Sequence, residues 1–399
     1  MYLRTKNLLK VGLGVLCLVA GCMVGPDYQR PRTSADGTYH WLPPEWKGLS
    51  DPNDPNALNT WWKAFDDPVS DELVYRALKH NTDLIAASAA VEQARAALDQ
   101  AFGARLPQVD YGFTRIRQNQ SFNLPEPTGR VSFISQSYSQ DLSISYMTDI
   151  FGKLRRSEQA ARFNLFAGEN DRRALAHTVV AQVLQARIEV ATQQRLLDIS
   201  EQTIANWQRA LEIIDRRYQQ GLSEPVDVYI AKENLANAKA QKVLIEQTLI
   251  VALNALDVLC GQVPATTYNL DRTLAVLPEL GPVPVGLPAQ LLDRRPDVLA
   301  AEMRLASANE RIGVSIAQMY PDLALTVTGG YASDNFRMVT ATENQIYSFV
   351  MNVAMPIFQG GQLKAGVRAA EAATRQAAAN YEGVVLNAMR EVEDALVKQ

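Results

Sequence analysis

The side chains that could do covalent or proton chemistry are few and poorly spaced for it. His40, His80 and His177 are scattered and make no His/Cys pattern with metal-ligand spacing. There is no G-x-S-x-G elbow and no glycine-rich loop of the kind that cradles phosphate. The paired acids Glu391 and Glu393 fall on a polar helical pattern, where solvated charge accounts for them. The reading is therefore of no enzyme, no metal and no catalytic residue. The thiols are Cys17, Cys22 and Cys260, and only Cys22 stands in a patterned context, directly after Val19-Ala20-Gly21.

That context explains the N-terminus. Arg4, Lys6 and Lys10 precede the apolar run Val11 to Ala20, which is too short to span a bilayer. Basic head, short apolar body and small residues make a secretion signal. Its end resembles the lipobox of bacterial lipoproteins, in which the cysteine is acylated and becomes the new N-terminus; the alternative is an ordinary signal with a cysteine nearby by chance. The lipobox reading removes residues 1–21 and places an N-acyl group and an S-diacylglycerol on Cys22, the only non-protein group expected. Met23 in place of Asp favours the outer membrane, by the same resemblance. Cys260 is then left alone, with no disulfide partner, and reads as a buried small hydrophobe.

Composition narrows the class further. The 399 residues are 47% apolar and 21% charged with net charge −4, which gives no nucleic-acid footprint. Mean hydropathy is −0.13, so this is not a helical membrane protein.

The elements that organise the chain are long. Between Pro127 and Pro225 there is no proline, and from Lys153 to Gln220 the only glycine is Gly168. A helix over these 68 positions would be a rod of roughly 100 Å, suited to a coiled coil, a spacer or a tunnel wall. Gly221 fits its C-terminal cap, Ser223 an N-cap and Pro225 the first turn of a second helix, Val226 to Leu259. In that helix Val228, Ala231, Leu235, Ala238, Lys242, Ile245, Leu249, Ala252, Leu256 and Leu259 step by three and four, an apolar seam broken by one lysine. Before the rod, residues 22–68 form a proline-rich extended arm leading from the anchor, with Trp61 and Trp62 docking it on the body or, alternatively, stacking a ligand. Residues 69–104 read as one helix ended by Pro107. Val109, Tyr111 and Phe113, then Leu142, Ile144 and Tyr146, alternate with polar residues on either side of a polar loop at 119–137, predicting a hairpin.

The pattern then recurs. Asp83-Leu84-Ile85-Ala86-Ala87 and Pro107 return as Asp297-Val298-Leu299-Ala300-Ala301 and Pro321, both at an offset of 214 (297 − 83, 321 − 107). Strand alternation follows again at Leu323, Leu325 and Val327, then at Phe349, Met351, Val353 and Met355 beyond a polar loop at 332–345. Gly361 echoes Gly152 and opens another helix. The chain reads as a first repeat at 69–261, a proline-dotted connector at 262–288 and a second repeat at 289–399. The second helical hairpin is not echoed: at the offset of 209 (361 − 152) its turn would fall near residue 430. The expectation is a truncated product or fragment, or a genuinely absent hairpin, and with it weak assembly or loss of transport.

Each repeat carries two strands of roughly bilayer-crossing length. Four strands cannot close a barrel, and open edges in lipid leave backbone groups unsatisfied. Two chains would give eight strands and three would give twelve; strand counting does not choose.

Six segments carry a family resemblance: Cys22-Met23-Val24-Gly25-Pro26-Asp27-Tyr28, Trp61-Trp62-x-x-Phe65-x-Asp67-Pro68, Asp149-Ile150-Phe151-Gly152, Arg217-Tyr218-x-x-Gly221-Leu222, Arg295-Pro296-Asp297-Val298 and Pro356-Ile357-Phe358-x-Gly360-Gly361. Together they resemble the TolC-like outer-membrane efflux proteins, nearest the NodT/OprM-type lipoprotein branch. The resemblance implies an α+β membrane protein: a homotrimer with a 12-stranded transmembrane β-barrel and long antiparallel helices forming a periplasmic α-barrel. It implies an outer-membrane, Gram-negative location and a passive exit duct for drugs or other small molecules. The partners would be an inner-membrane pump and a periplasmic membrane-fusion adapter, with Gly221, Leu222 and Ser223 as the adapter-contact tip. Arg295, Pro296 and Asp297 read as structural. The rival reading is an adapter or coiled-coil spacer lipoprotein without a channel, which expects one helical hairpin flanked by compact β domains.

Overall fold

A computed structural model describes residues 23–31, 60–123, 125, 129–266, 271–272, 274 and 294–398. The signal 1–21, Cys22, most of the arm and most of the connector lie outside these residues. The elements are α1 (Pro68–His80), α2 (Thr82–Gly103), β1 (Gln108–Asn123), β2 (Arg130–Thr148), α3 (Lys153–Gln219), α4 (Pro225–Leu259), α5 (Pro296–Ala317), β3 (Asp322–Ser333), β4 (Gln345–Ala354) and α6 (Gln362–Val397). The described residues fall into two compact units. One collects those within Met1–Thr33, Glu92–Gly168 and Val298–Asn387, the other those within Ser34–Val91, Glu169–Asp297 and Ala388–Gln399.

The duplication is visible in the element bounds. α2 and α5 are both 22 residues long and begin 214 positions apart (296 − 82). α3 and α6 begin 209 apart (362 − 153). The expected rod is present: α3 is one helix of 67 residues, about 100 Å long.

The single helix expected over 69–104 is instead two, broken at Asn81. The Asn81 side chain accepts from the N–H groups of Asp83 and Leu84, capping α2. Its Nδ2 donates to the Leu259 carbonyl at the end of α4. The Ala/Leu periodicity runs through the break and conceals it. Asp67 caps α1, accepting from Val69 and Ser70. α1 buries Leu73, Val74 and Ala77 in a core with Val179, Val180, Val183, Leu184, Leu256 and Cys260. Trp62 and Phe65, from the short 3-10 helix Trp61–Phe65, pack against the edge of that core, whereas Trp61, expected to dock with Trp62, is exposed and meets only Trp62 and Phe65 edge-on among the described ring contacts. Cys260 is buried as expected, and burial pushes its thiol up to about 11.

The seam of α4 faces α3 as its spacing predicts. Leu249, Ala252 and Leu253 cluster with Val190, and Lys242 reaches Glu201 of α3 at 2.8 Å. Arg295 and Asp297 are paired at 2.7 Å at the start of α5. Glu391, expected as plain solvated charge, also binds Arg295 at 2.8 Å while remaining half-exposed.

The four strands form one antiparallel sheet in the order β1-β2-β3-β4, so the hairpins of the two repeats pair through β2 and β3. The first hairpin is longer than its regularly alternating stretch. β1 and β2 stay paired out to Asn123 and Arg130, through most of the segment expected as a polar loop. Backbone pairing needs no apolar side chain, and Gln118, Asn119 and Gln120 continue the ladder.

Candidate functional site

Three features of the structure carry function: the sheet, the segment that follows Cys22, and the α3–α4 turn.

The register sorts the sheet into two faces. Val109 and Tyr111 pair with Ile144 and Leu142; Ile144 pairs with Val327; Leu323, Leu325 and Val327 pair with Val353, Met351 and Phe349. One continuous apolar face results. On the other face Asp110, Gly112 and Thr114 pair with Ser143, Asp141 and Ser139, Thr328 with Ser143 and Ser348, and Thr326 with Ser145. β4 is exposed along its whole length, and β1 and β4 are the open edges of the sheet. An apolar band beside a polar band, with a two-residue period, is the wall of a water-filled barrel rather than half of a soluble sandwich. Among the described residues no helix is long and apolar enough to cross a membrane, and no group of His, Cys, Asp and Glu could hold a metal ion.

Asp149-Ile150-Phe151-Gly152 joins that wall to the rod. The Asp149 carboxylate accepts from the N–H groups of Leu154 and Arg155 at 3.0 and 2.8 Å, satisfying orphan donors of α3. Phe151 stacks on Tyr320 at 4.6 Å. Lys153 pairs with Asp322 at the start of β3 at 2.8 Å.

Residues 23–31 form a strap laid on this junction. Val24 N–H donates to the Phe151 carbonyl. Gly25, at φ +98°, passes so close to α5 that a Cβ there would lie 2.6 Å from the Gly313 Cα. A Cβ on Gly313 would in turn meet the Val24 carbonyl at 2.9 Å, so both positions need glycine. Arg156 of α3 holds the strap from beneath: Nη2 donates to Asp27 at 2.8 Å and to the Gly25 carbonyl, and Nη1 donates to Glu310 of α5 at 2.8 Å. Tyr28 donates to Glu302, which also pairs with Arg30. Burial, then the Glu302 charge, raises the affinity of the Tyr28 phenol for its proton. Cys22 itself lies outside the described residues. The Gly25-Pro26-Asp27-Tyr28 run was legible as a motif, but its clamp was not: nothing in the pattern around Arg156 or Glu310 marks them as partners 154 residues apart.

The turn is built as its residues dictate, with one correction. Gly221, at φ +74°, is the left-handed C-cap, and Leu222 N–H donates to the Arg217 carbonyl while Gly221 N–H donates to Tyr218. The N-cap of α4 is Glu224, not Ser223. Glu224 forms a reciprocal capping box with Asp227, and Ser223 Oγ donates to that same Asp227 at 2.7 Å. Leu222 is left 65% exposed at the tip, with Gly221 and Ser223 beside it.

The structure counts against the spacer reading, which needed compact β domains on either side of one hairpin. Comparison with known proteins agrees. The family model described as "Outer membrane efflux protein" matches residues 73–262 and 287–399. The chain is 32% identical over 386 residues to the toluene efflux pump outer membrane protein TtgF of Pseudomonas putida, covering 95% of this chain and 79% of that protein. It is 30% identical over 388 residues to the cation efflux system protein CusC of Escherichia coli, covering 96% and 81%. The solved structure of the outer-membrane channel OprN superposes with a TM-score of 0.82 at 27% identity, covering 94% of this chain and 83% of that one. With a family match over both repeats, and a sheet whose two faces suit lipid and water, the chain belongs to the outer membrane efflux protein family and is an outer-membrane channel component of efflux systems.

Proposed function

We propose that three copies of this chain close a 12-stranded barrel, each copy supplying β1 to β4, and that the barrel opens into a duct walled by the long helices. The observation that carries this is the register: it gathers Val109, Tyr111, Leu142, Ile144, Leu325, Val327, Phe349 and Met351 on one face and Asp110, Asp141, Ser143, Thr326, Thr328 and Ser348 on the other, while β1 and β4 remain open edges. An unsatisfied edge in hydrocarbon costs several kcal/mol per backbone group, so β1 of one copy pairs with β4 of the next. The duct is passive. Energy and cargo come from an inner-membrane pump through a periplasmic adapter that contacts Gly221, Leu222 and Ser223. Cargo is a small molecule able to pass a lumen lined by Ser, Thr, Asn and Asp. An N-acyl group and a diacylglycerol on Cys22 complete the attachment to the outer membrane.

Purification in detergent followed by chemical cross-linking and electrophoresis with and without heating tests the assembly. A heat-sensitive trimer is expected. A monomer that stays in water without detergent overturns the reading. A photo-reactive residue at position 222, expressed with the cognate adapter, is expected to cross-link to it; the same residue placed at the exposed Val251 is not.

A further inference from the structure

The register separates charge as well as hydropathy. On the apolar face β1 continues past Val109, Tyr111 and Phe113 to Arg115 and Arg117, and β2 enters the same face at Arg130, which pairs with Asn123. Among the described strand residues that face carries these three arginines and no Asp or Glu. The polar face carries Asp110, Asp141 and Asp322 and no Lys or Arg. The arginines are exposed, and none forms an ion pair with a described residue.

Their position is specific. Arg115 and Arg117 lie toward the hairpin ends of the strands, away from the ends joined to helices, just beyond the rows that hold Tyr111, Tyr331 and Tyr347; Arg130, paired with Asn123, lies about 20 Å farther out along the hairpin. Aromatic residues of this kind mark the membrane–water interface in barrels. An arginine on the lipid side is costly at the bilayer midplane and close to neutral near the interface, so this placement reads as headgroup depth. Arg115 is also held in place: its guanidinium carbon lies 5.4 Å from the centroid of the Tyr138 ring. Tyr138 packs edge-on against Phe336, which also meets Phe113. Exposed cations at headgroup depth are suited to charge-assisted pairing with phosphate. Cargo in the lumen runs past the opposite face and does not meet it.

We propose that Arg115 and Arg117 form a binding surface for the phosphate groups of a phosphorylated glycolipid in the outer leaflet. The proposal rests on the barrel reading given above. The test uses the full chain in neutral detergent micelles, with diphosphoryl lipid A as probe and bound lipid measured by native mass spectrometry and titration. Replacing both arginines by Gln is expected to weaken binding at least tenfold, with Asp110→Asn on the polar face unchanged. The Lys double variant is expected to stay within about threefold of the original chain, which separates loss of charge from misfolding. Dephosphorylated lipid A is expected to bind like the Gln variant, and millimolar inorganic phosphate not to compete. Equal binding by the Gln variant or by dephosphorylated lipid overturns the proposal, as does displacement by free phosphate, which would show a simple anion site. Weak binding by the Lys variant overturns it too. Absence of heat-sensitive migration in the unmodified chain would instead sink the barrel reading, and the proposal with it.

Discussion

Arg156 and Glu310 meet at 2.8 Å with side chains only 1% and 5% exposed, so a charge pair sits in the interior between α3 and α5. Nη2 of Arg156 donates to the strap, at Asp27 and at the Gly25 carbonyl, which makes one side chain the fastener of three segments. Arg156→Met leaves the Glu310 carboxylate buried without a counter-charge and should cost about 3–5 kcal/mol. The double variant Arg156→Met, Glu310→Leu should recover most of that loss and still leave the strap loose. Thermal denaturation reads the first effect. Limited proteolysis within residues 23–31 reads the second, and a strap equally protected in the double variant would show that Arg156 does not hold it.

The tip separates stability from docking. Gly221→Ala places a Cβ at φ +74° and should cost about 1 kcal/mol, read as a small drop in thermal midpoint. Leu222→Asp changes an exposed side chain, so stability should stay within about 0.5 kcal/mol while adapter cross-linking and efflux fall together. Efflux that survives Leu222→Asp would remove the tip from the docking surface.

The Cys260 thiol gives a pH signature. Burial moves it from 9.0 to about 11 in the folded chain. Below pH 9 both states keep the proton and the group adds no pH dependence. Between about pH 9 and 11 the unfolded chain releases the proton and the folded chain keeps it, so stability falls across that window. Denaturation curves of Cys260→Ala should lack this component of the fall, and iodoacetamide at pH 8 should modify the folded protein far more slowly than the protein in urea.

Asp67 works in the opposite direction. Burial opposes its ionisation, but hydrogen bonds from Ser70 and the buried Arg187 outweigh burial and hold the carboxylate below its ordinary 3.8. Its stabilisation is present above that value and is lost as pH falls through the depressed one. Asp67→Asn keeps a capping oxygen but leaves the Arg187 guanidinium facing a neutral amide. It should destabilise at pH 7 by about 3 kcal/mol and show a smaller further loss on acidification than the unmodified chain. Equal acid sensitivity in the two chains would contradict this account.

What could be read from the sequence was what has a period or a punctuation mark. The 67-residue α3 follows from the absence of Pro and Gly, the α4 seam from steps of three and four, and the repeat from ordered echoes at a fixed offset. What escaped reading was long-range and polar. Asn81 breaks a helix whose pattern runs on, because its partner is a carbonyl 178 residues away. β1 and β2 outlast their regular apolar alternation because the ladder is made by backbone. The N-cap moved from Ser223 to Glu224 because a reciprocal box with Asp227 satisfies more donors than one hydroxyl. Arg156 and Glu310 are ordinary charges in charged neighbourhoods until the fold sets them side by side.

The strap has a consequence for how the wall is seated. A Cβ on Gly152 would fall 3.0 Å from the Met23 Cα, so Met23 lies directly on the junction of sheet and rod. Residues 23–31 therefore leave the junction from one set point, and the strap bears on the seam of sheet and rod as a shoulder stops a shaft.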